Sequence, residues 1–412
     1  MFNRKDYITA CRICQNKSIK PFFDLGSHPL ANSLVKSREQ KEKFYPLCLC
    51  WCDKCKTVQL NYTVDPKILF SKYFWLTGTS QAANDFSLDF CNKLISKTSN
   101  PKKGYVLEIA SNDGTFLKPF IETGYNILGV DSAQNIVQIA NDKKIKTICG
   151  FWSNDFAEKL KNKAGTAQII FARNVLAHVK NICDFVAGMK NCLSDDGTVA
   201  VEVHYAGNIL NGLQYDSIYH EHLFYFTLQS LENLFNQLGL FVFDVEPSPI
   251  SGGAIIIYAA KQNKKISSRL KKWRNYEIKN KINNFLTWKS FAKKSITHKK
   301  EMISLMNKII SKEKNIVGWG ASARSSTLLN FCKIDSKIIS VIADQNNLKH
   351  NYFTAGSGIL IDSPELVMKR NPKFVIILAW NFAKEIMDIL KNKFNYSGGY
   401  IIPLPNKLKI YK

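Results

Sequence analysis

Short, nearly continuous apolar runs recur through the middle of the chain: Tyr105–Ile109, Ile127–Asp131, Ile169–Ala172, Val199–Val203 and Ala254–Tyr258. They are rich in β-branched residues and almost free of polar interruptions, so each predicts a strand covered on both faces by helices. Helical stretches separate them, which is the order of a doubly wound sheet. From about 266 to 312 the period changes. Ile266, Leu270 and Trp273, then Ile278, Ile282 and Phe285, then Met302, Leu305 and Ile309 recur at helical spacing among many lysines, predicting an amphipathic helical connector. Beyond it, Ile316–Trp319, Ile338–Ile342 and Phe374–Leu378 predict strands of a second α/β unit. Residues 1–70 lack long periodic segments and are rich in Cys and Pro. The expected fold class is α/β, divided as a small lobe over 1–70, a Rossmann-like unit over 71–262, and a connector with a C-terminal Rossmann-like unit over 263–412.

With 412 residues, 45% of them hydrophobic, the chain can bury more than one core. No stretch reaches the roughly 20 apolar residues of a membrane helix, and the start, Met1-Phe2-Asn3-Arg4-Lys5-Asp6, lacks the apolar run of a secretory signal. A cytoplasmic protein without a membrane partner, a monomer or small homo-oligomer, is expected. The formal net charge of +24 raises the question of nucleic acid. Its lysines are spread along the chain instead of forming a basic arm, so a solvated surface is expected and a nucleic-acid partner is not.

Eleven cysteines without a secretory signal point to thiols or metal. Cys11-Arg12-Ile13-Cys14 and Cys52-Asp53-Lys54-Cys55 are paired C-x-x-C knuckles, each able to offer two thiolates to a tetrahedral zinc. Cys48 and Cys50 can each replace a member of the second pair; the matching spacing favours Cys52 and Cys55. A closed four-thiolate site leaves no position for water, so this zinc is expected to be structural.

Glu108-Ile109-Ala110-Ser111-Asn112-Asp113-Gly114 follows the first central strand. It is a degenerate form of an acidic residue followed by Gly-x-Gly-x-Gly, with Ala110 and Asn112 in place of two glycines. Asp131 ends the next strand, where a carboxylate can accept both ribose hydroxyls. A pyrophosphate would want three glycines at close approach, whereas S-adenosylmethionine (SAM) carries an ammonium and a sulfonium that suit Glu108 and Asp113. SAM is therefore the expected cofactor. Gly150-Phe151-Trp152-Ser153 and Phe171-Ala172-Arg173-Asn174-Val175-Leu176-Ala177-His178 follow later strands, which makes Phe151, Trp152, Arg173, Asn174 and His178 further candidates for the cofactor site. Phe151 and Trp152 suit ordinary packing equally well.

Tyr219-His220-Glu221-His222 concentrates ionisable groups between aromatic residues. The adjacent H-E-H does not present two ligands on one face, so acid–base chemistry is expected in place of metal: an imidazole titrates near neutrality, a carboxylate can orient it, and a phenol can donate to an oxyanion. One of the histidines, His220 above all, can equally be a core residue.

These segments, with Asp24-Leu25-Gly26, Pro29-Leu30-Ala31 and Gly318-Trp319-Gly320-Ala321-Ser322-Ala323-Arg324, resemble over essentially the whole chain the sugar C-methyltransferase family, which methylates C-3 of nucleotide-linked 4-keto deoxysugars. The resemblance implies a zinc-binding lobe, a SAM domain and a C-terminal domain of the same family. It also implies that His222 is the base that removes the proton α to the ketone, with Tyr219 and Glu221 placing the sugar and stabilising the enolate, and Tyr73 as a further catalytic candidate. In the C-terminal unit the Gly318–Arg324 turn should open a helix whose N-terminus, with Gly320, Ser322 and Arg324, grips phosphate. Lys349 and His350 lie just beyond Asp344 at the end of the next strand. Alone this turn also suits NAD; beside a SAM unit, the diphosphate of a nucleotide-linked keto sugar fits better. Sugar O-methylation by the same histidine, and a zinc-containing nucleic-acid binder, are the competing readings.

Overall fold

The computed structural model describes residues 6–70, 76–250, 252–313 and 315–411. In chain order its strands are Ile19–Pro29 (β1), Phe44–Cys52 (β2), Val58–Leu60 (β3), Tyr105–Ile109 (β4), Ile127–Asp131 (β5), Thr147–Cys149 (β6), Ala167–Arg173 (β7), Leu193–His204 (β8), Phe224–Tyr225 (β9), Phe241–Pro247 (β10) and Ala254–Ala260 (β11). They are followed by Ile316–Trp319 (β12), Val341–Ala343 (β13), Leu360–Asp362 (β14), Phe374–Ile377 (β15), Gly399–Ile402 (β16) and Lys409–Tyr411 (β17).

The central sheet runs β10-β11-β8-β7-β4-β5-β6. Its five strands β4 to β8 are parallel, and β11 and β10 continue it antiparallel. The apolar runs account for this arrangement, since Ile169, Ile170, Phe171 and Ala172 are all fully shielded from solvent, as a strand with helices on both faces requires. Strand order reverses between β4 and β7, and the carboxyl ends there splay into a crevice. The C-terminal sheet, β14-β13-β12-β15-β16-β17, repeats that plan with its own reversal between β12 and β15.

The N-terminal lobe holds a sheet, β1-β2-β3-β9, that no periodic pattern announced. Its fourth strand comes from the far side of the central unit: Val58 and Gln59 pair with Tyr225 and Phe224. This borrowed strand follows His222 by two residues, so the lobe grips the chain next to the expected base.

The connector forms two helices, Ser268–Lys279 and Phe285–Glu313. Leu270, Ile282, Met302 and Ile309 of the apolar stripe are buried, but Ile278 is 75% exposed because the chain turns between the two helices instead of continuing the stripe. The expected strand Ile338–Ile342 starts at Val341, three residues later than its apolar run. Among the described residues, no helix is long and apolar enough to cross a membrane.

Candidate active site

The four knuckle thiols converge. Every Sγ of Cys11, Cys14, Cys52 and Cys55 lies within 4.8 Å of the others, and the Cys11–Cys55 and Cys14–Cys52 pairs are each 3.5 Å apart. Zn–S bonds of about 2.3 Å in a tetrahedron need sulfurs about 3.8 Å apart, so the set fits zinc. Cys48 and Cys50 lie outside this quartet, their thiols directed at the Leu49 and Gln59 carbonyls and pushed up to about 12 by burial. Gln59 Nε2 donates to Cys11 Sγ at 3.1 Å, and Asn233 and Gln237 of the central unit donate to the Cys55 and Ile13 carbonyls. The knuckles are thereby tied to the central unit through backbone groups that leave the thiolates free.

The crevice at the central reversal opens into a cavity of about 320 Å³. Glu108, Ala110, Asn112, Asp131, Phe151, Trp152, Arg173, Asn174, His178 and Glu221 all line it. The degenerate turn keeps the backbone that glycines would give: Ala110, Asn112 and Gly114 have φ of +58°, +50° and +77°. Alternate left-handed residues bend the chain tightly around the crevice, a conformation for which an alanine strains. Asp131 accepts the Asn112 N–H on Oδ2 and the Ala133 N–H on Oδ1, each at 2.9 Å, leaving a lone pair on each oxygen for a ribose hydroxyl.

Glu108 is 4% exposed and its Oε2 has no partner within the described residues. Burial raises its carboxyl well above the usual range against the pull of Arg173. An orphaned acidic oxygen facing this cavity fits the ammonium of SAM, which would return it to the charged form. Phe151 is 58% exposed at the rim and open to a flat ring, whereas the Trp152 indole N–H is taken by the Phe185 carbonyl at 3.1 Å.

Two other expected cofactor residues are engaged by protein partners. Asp113 turns away from the cavity to bind Lys143 at 2.9 Å, Thr115 and the Gly78 N–H, and so secures the turn from behind. The Arg173 guanidinium pairs with Glu202 at 2.7 Å and lies 3.3 Å from the Phe116 ring centroid, so it serves as wall more than as donor.

Tyr219, His220, Glu221 and His222 form a turn closed by the His222 N–H on the Tyr219 carbonyl at 2.9 Å. His222 Nδ1 is 3.2 Å from the Ser217 carbonyl, an acceptor only, so Nδ1 carries the proton and Nε2 keeps its lone pair. The Tyr219 hydroxyl donates to Nε2 at 2.9 Å. Burial, with His178 and His204 nearby, holds the His222 imidazole well below its ordinary titration range and therefore neutral. His178, on the cavity wall, lies 5.1 Å from it ring to ring, with Nδ1 2.7 Å from the Glu221 carbonyl. The Glu221 carboxyl accepts from Asn32 at 2.6 Å and is raised by burial. His220 is 2% exposed and points at the Tyr45 carbonyl of the N-terminal lobe, as a core histidine would. Tyr73 lies outside the described residues.

The chain belongs to the C-methyltransferase family. It is 30% identical over 405 residues to the C-methyltransferase NovU of Streptomyces niveus, covering 97% of this chain and 96% of that protein. Family models match as a zinc binding domain over 11–70, a methyltransferase domain over 83–245 and a C-methyltransferase C-terminal domain over 249–405. Among solved structures, magnesium protoporphyrin IX methyltransferase of Synechocystis with bound SAM is 11% identical with a TM-score of 0.37, covering 48% of this chain and 99% of that one. A SAM-dependent methyltransferase of Anabaena variabilis is 15% identical with a TM-score of 0.37, over 48% of this chain and 91% of that one. The protein is thus a SAM-dependent methyltransferase with a zinc lobe.

The expected substrate residues of the C-terminal unit lie apart from the cavity and are internally engaged. Arg324 pairs with Asp216 at 3.1 Å, Lys349 Nζ donates to the Ala321 carbonyl at 2.8 Å, and His350 Nε2 meets the Asp344 carbonyl at 2.8 Å. Ser322 caps its helix by accepting the Ser325 N–H, and Gly320 takes φ +96°. Sequence reasoning missed Asn32, which directly follows the Pro29-Leu30-Ala31 segment, and Ser217, whose part is played by a backbone carbonyl that no residue type reveals.

Proposed function

We propose that this C-methyltransferase methylates a carbon next to the ketone of a nucleotide-linked keto sugar, C-3 of a 4-keto deoxysugar in particular, with His222 as the base. The observation that carries this reading is the pair formed by the neutral, Nδ1-protonated His222 and the Tyr219 hydroxyl, beside a cavity walled by His178 and Glu221. A carbon nucleophile has to be made by removing a proton, and a ketone makes its neighbouring C–H the acidic one. On substrate entry the Tyr219 hydroxyl would turn from Nε2 to the ketone oxygen, stabilising the enolate and freeing the Nε2 lone pair for the proton. Glu221, whose carboxyl burial raises while the Asn32 amide holds it in place, can hydrogen-bond a sugar hydroxyl. Glu108 and Asp131 would hold SAM, whose sulfonium methyl would pass to the enolate carbon as the S–CH3 bond breaks and S-adenosylhomocysteine leaves.

The test is methyl-labelled SAM with a panel of nucleoside-diphosphate 4-keto sugars, for wild type and His222→Ala, with the product solved by NMR. A C-methyl product and a loss of about 10²–10⁴-fold in the variant are expected, since positioned acid–base groups contribute that much. Undiminished transfer by the variant would remove His222 as base, and a methyl on oxygen would replace C- by O-methylation.

A further inference from the structure

The turn that carries Tyr219 and His222 is anchored from the other side of the molecule. Just before it, Tyr215, Asp216, Ser217 and Ile218 are 0%, 1%, 1% and 0% exposed. The Tyr215 hydroxyl meets His298 Nδ1 of the long connector helix at 2.9 Å, and Thr327 Oγ1 donates to the Ile218 carbonyl at 2.8 Å. Asp216 is gripped most closely. Arg324 Nε donates to its Oδ2 at 3.2 Å and Nη2 to its Oδ1 at 3.1 Å, the two-pronged match of guanidinium to carboxylate. The Trp380 indole N–H adds a bond to Oδ2 at 2.7 Å, while the guanidinium lies 4.5 Å from the Trp380 ring centroid and reaches Gln214 at 3.2 Å. The residue after Asp216 is Ser217, whose carbonyl accepts the His222 Nδ1 proton.

We propose that Arg324 is a positioning residue of the active site: its ion pair with Asp216 fixes the Ser217 carbonyl that selects the tautomer of His222. This rests on the reading of His222 as base. If that carbonyl drifts, the imidazole proton can move to Nε2, the nitrogen that has to be bare. The helix expected to hold the substrate's diphosphate then acts on the chemistry without touching the reacting atoms. The flat fork and its stacking on Trp380 explain why an arginine stands here, since a lysine cannot span both carboxylate oxygens.

The experiment compares zinc-loaded full-length wild type with Arg324→Lys and with the paired Arg324→Gln/Asp216→Asn variant, which leaves no buried charge unpaired should the single variant fold poorly. Four quantities are read: the imidazole ¹⁵N shifts of His222 in the SAM complex, the Kd for SAM, and kcat and KM with a nucleoside-diphosphate 4-keto-6-deoxyhexose. Positioning predicts mixed His222 tautomers and a kcat down by about tenfold or more, with KM and the SAM Kd within about twofold. A KM raised about tenfold, with kcat and tautomer unchanged, would make Arg324 a substrate ligand and overturn the proposal while leaving His222 as base. Full activity of His222→Ala would instead sink the base assignment, whatever the Arg324 variants do.

Discussion

In the central unit the carboxylate that closes the second strand faces a cavity; in the C-terminal unit its counterpart faces a lysine. The local chemistry is otherwise the same. Asp131 accepts the N–H groups of Asn112 and Ala133 at 2.9 Å, and Asp344 those of Ala321 at 2.8 Å and Asn346 at 2.9 Å. What differs is the crevice at the strand reversal. A Cβ on Gly320 would lie 2.5 Å from Ala379 Cβ, on the segment that follows β15, and Lys349 reaches Asp344 and the Ala321 carbonyl, so the protein's own groups crowd that turn. A Rossmann-like turn with a terminal acid is thus a way of building a strand–helix junction, and it becomes a binding site only where the facing strand's exit leaves room.

Acid should separate the two units most. Burial holds His178, His204, His220 and His222, all at the carboxyl edge of the central sheet or on the turn beside it, below their ordinary range, His220 at about 4 and His204 at about 3. The unfolded chain takes up these protons near pH 6.5 and the folded one does not, so this stability is intact above pH 6.5 and drains away as the pH falls. By pH 5 the loss is about 2 kcal/mol for each of His204 and His220. Hydrogen exchange at pH 5 is expected to show β7, β8 and the Tyr219–His222 turn losing protection before β12 and β15; simultaneous loss would mean that the units unfold as one.

A narrower test exchanges the matched carboxylates. Asp131→Asn is expected to weaken SAM about 10–100-fold, the worth of a charge-assisted hydrogen bond of about 1.5–3 kcal/mol, whereas Asp344→Asn leaves the SAM Kd unchanged. Titration calorimetry reads both. Equal weakening by the two substitutions would erase the distinction between an open and a closed unit.

How much of this was legible in the sequence follows the same division. The β4 and β5 runs predicted their strands to the residue, because burial on both faces forces a continuous apolar signal. The N-terminal sheet escaped because one of its strands, Phe224–Tyr225, is two residues long and comes from another part of the chain. Motif spacing brought Glu108, Asp131, Asn174 and His178 to one cavity. It also singled out Arg324, Lys349 and His350, whose side chains meet Asp216, the Ala321 carbonyl and the Asp344 carbonyl, partners set by tertiary packing that no local pattern encodes.

The smallest effects lie in the two turns, and their signs should oppose. Gly320→Ala places a side chain at φ +96° and 2.5 Å from Ala379 Cβ, so a loss of about 2–3 kcal/mol is expected from strain and overpacking. Ala110→Gly does the reverse. Ala110 already bears a Cβ at φ +58°, a strain of about 1–2 kcal/mol, and glycine relieves it while adding about 0.5–1 kcal/mol of freedom to the unfolded chain. The net is a gain of up to about 1 kcal/mol in urea unfolding. A destabilised Ala110→Gly would mean that its methyl packs usefully against the cavity wall, and that the alanine was kept in this turn for contact and not in spite of strain.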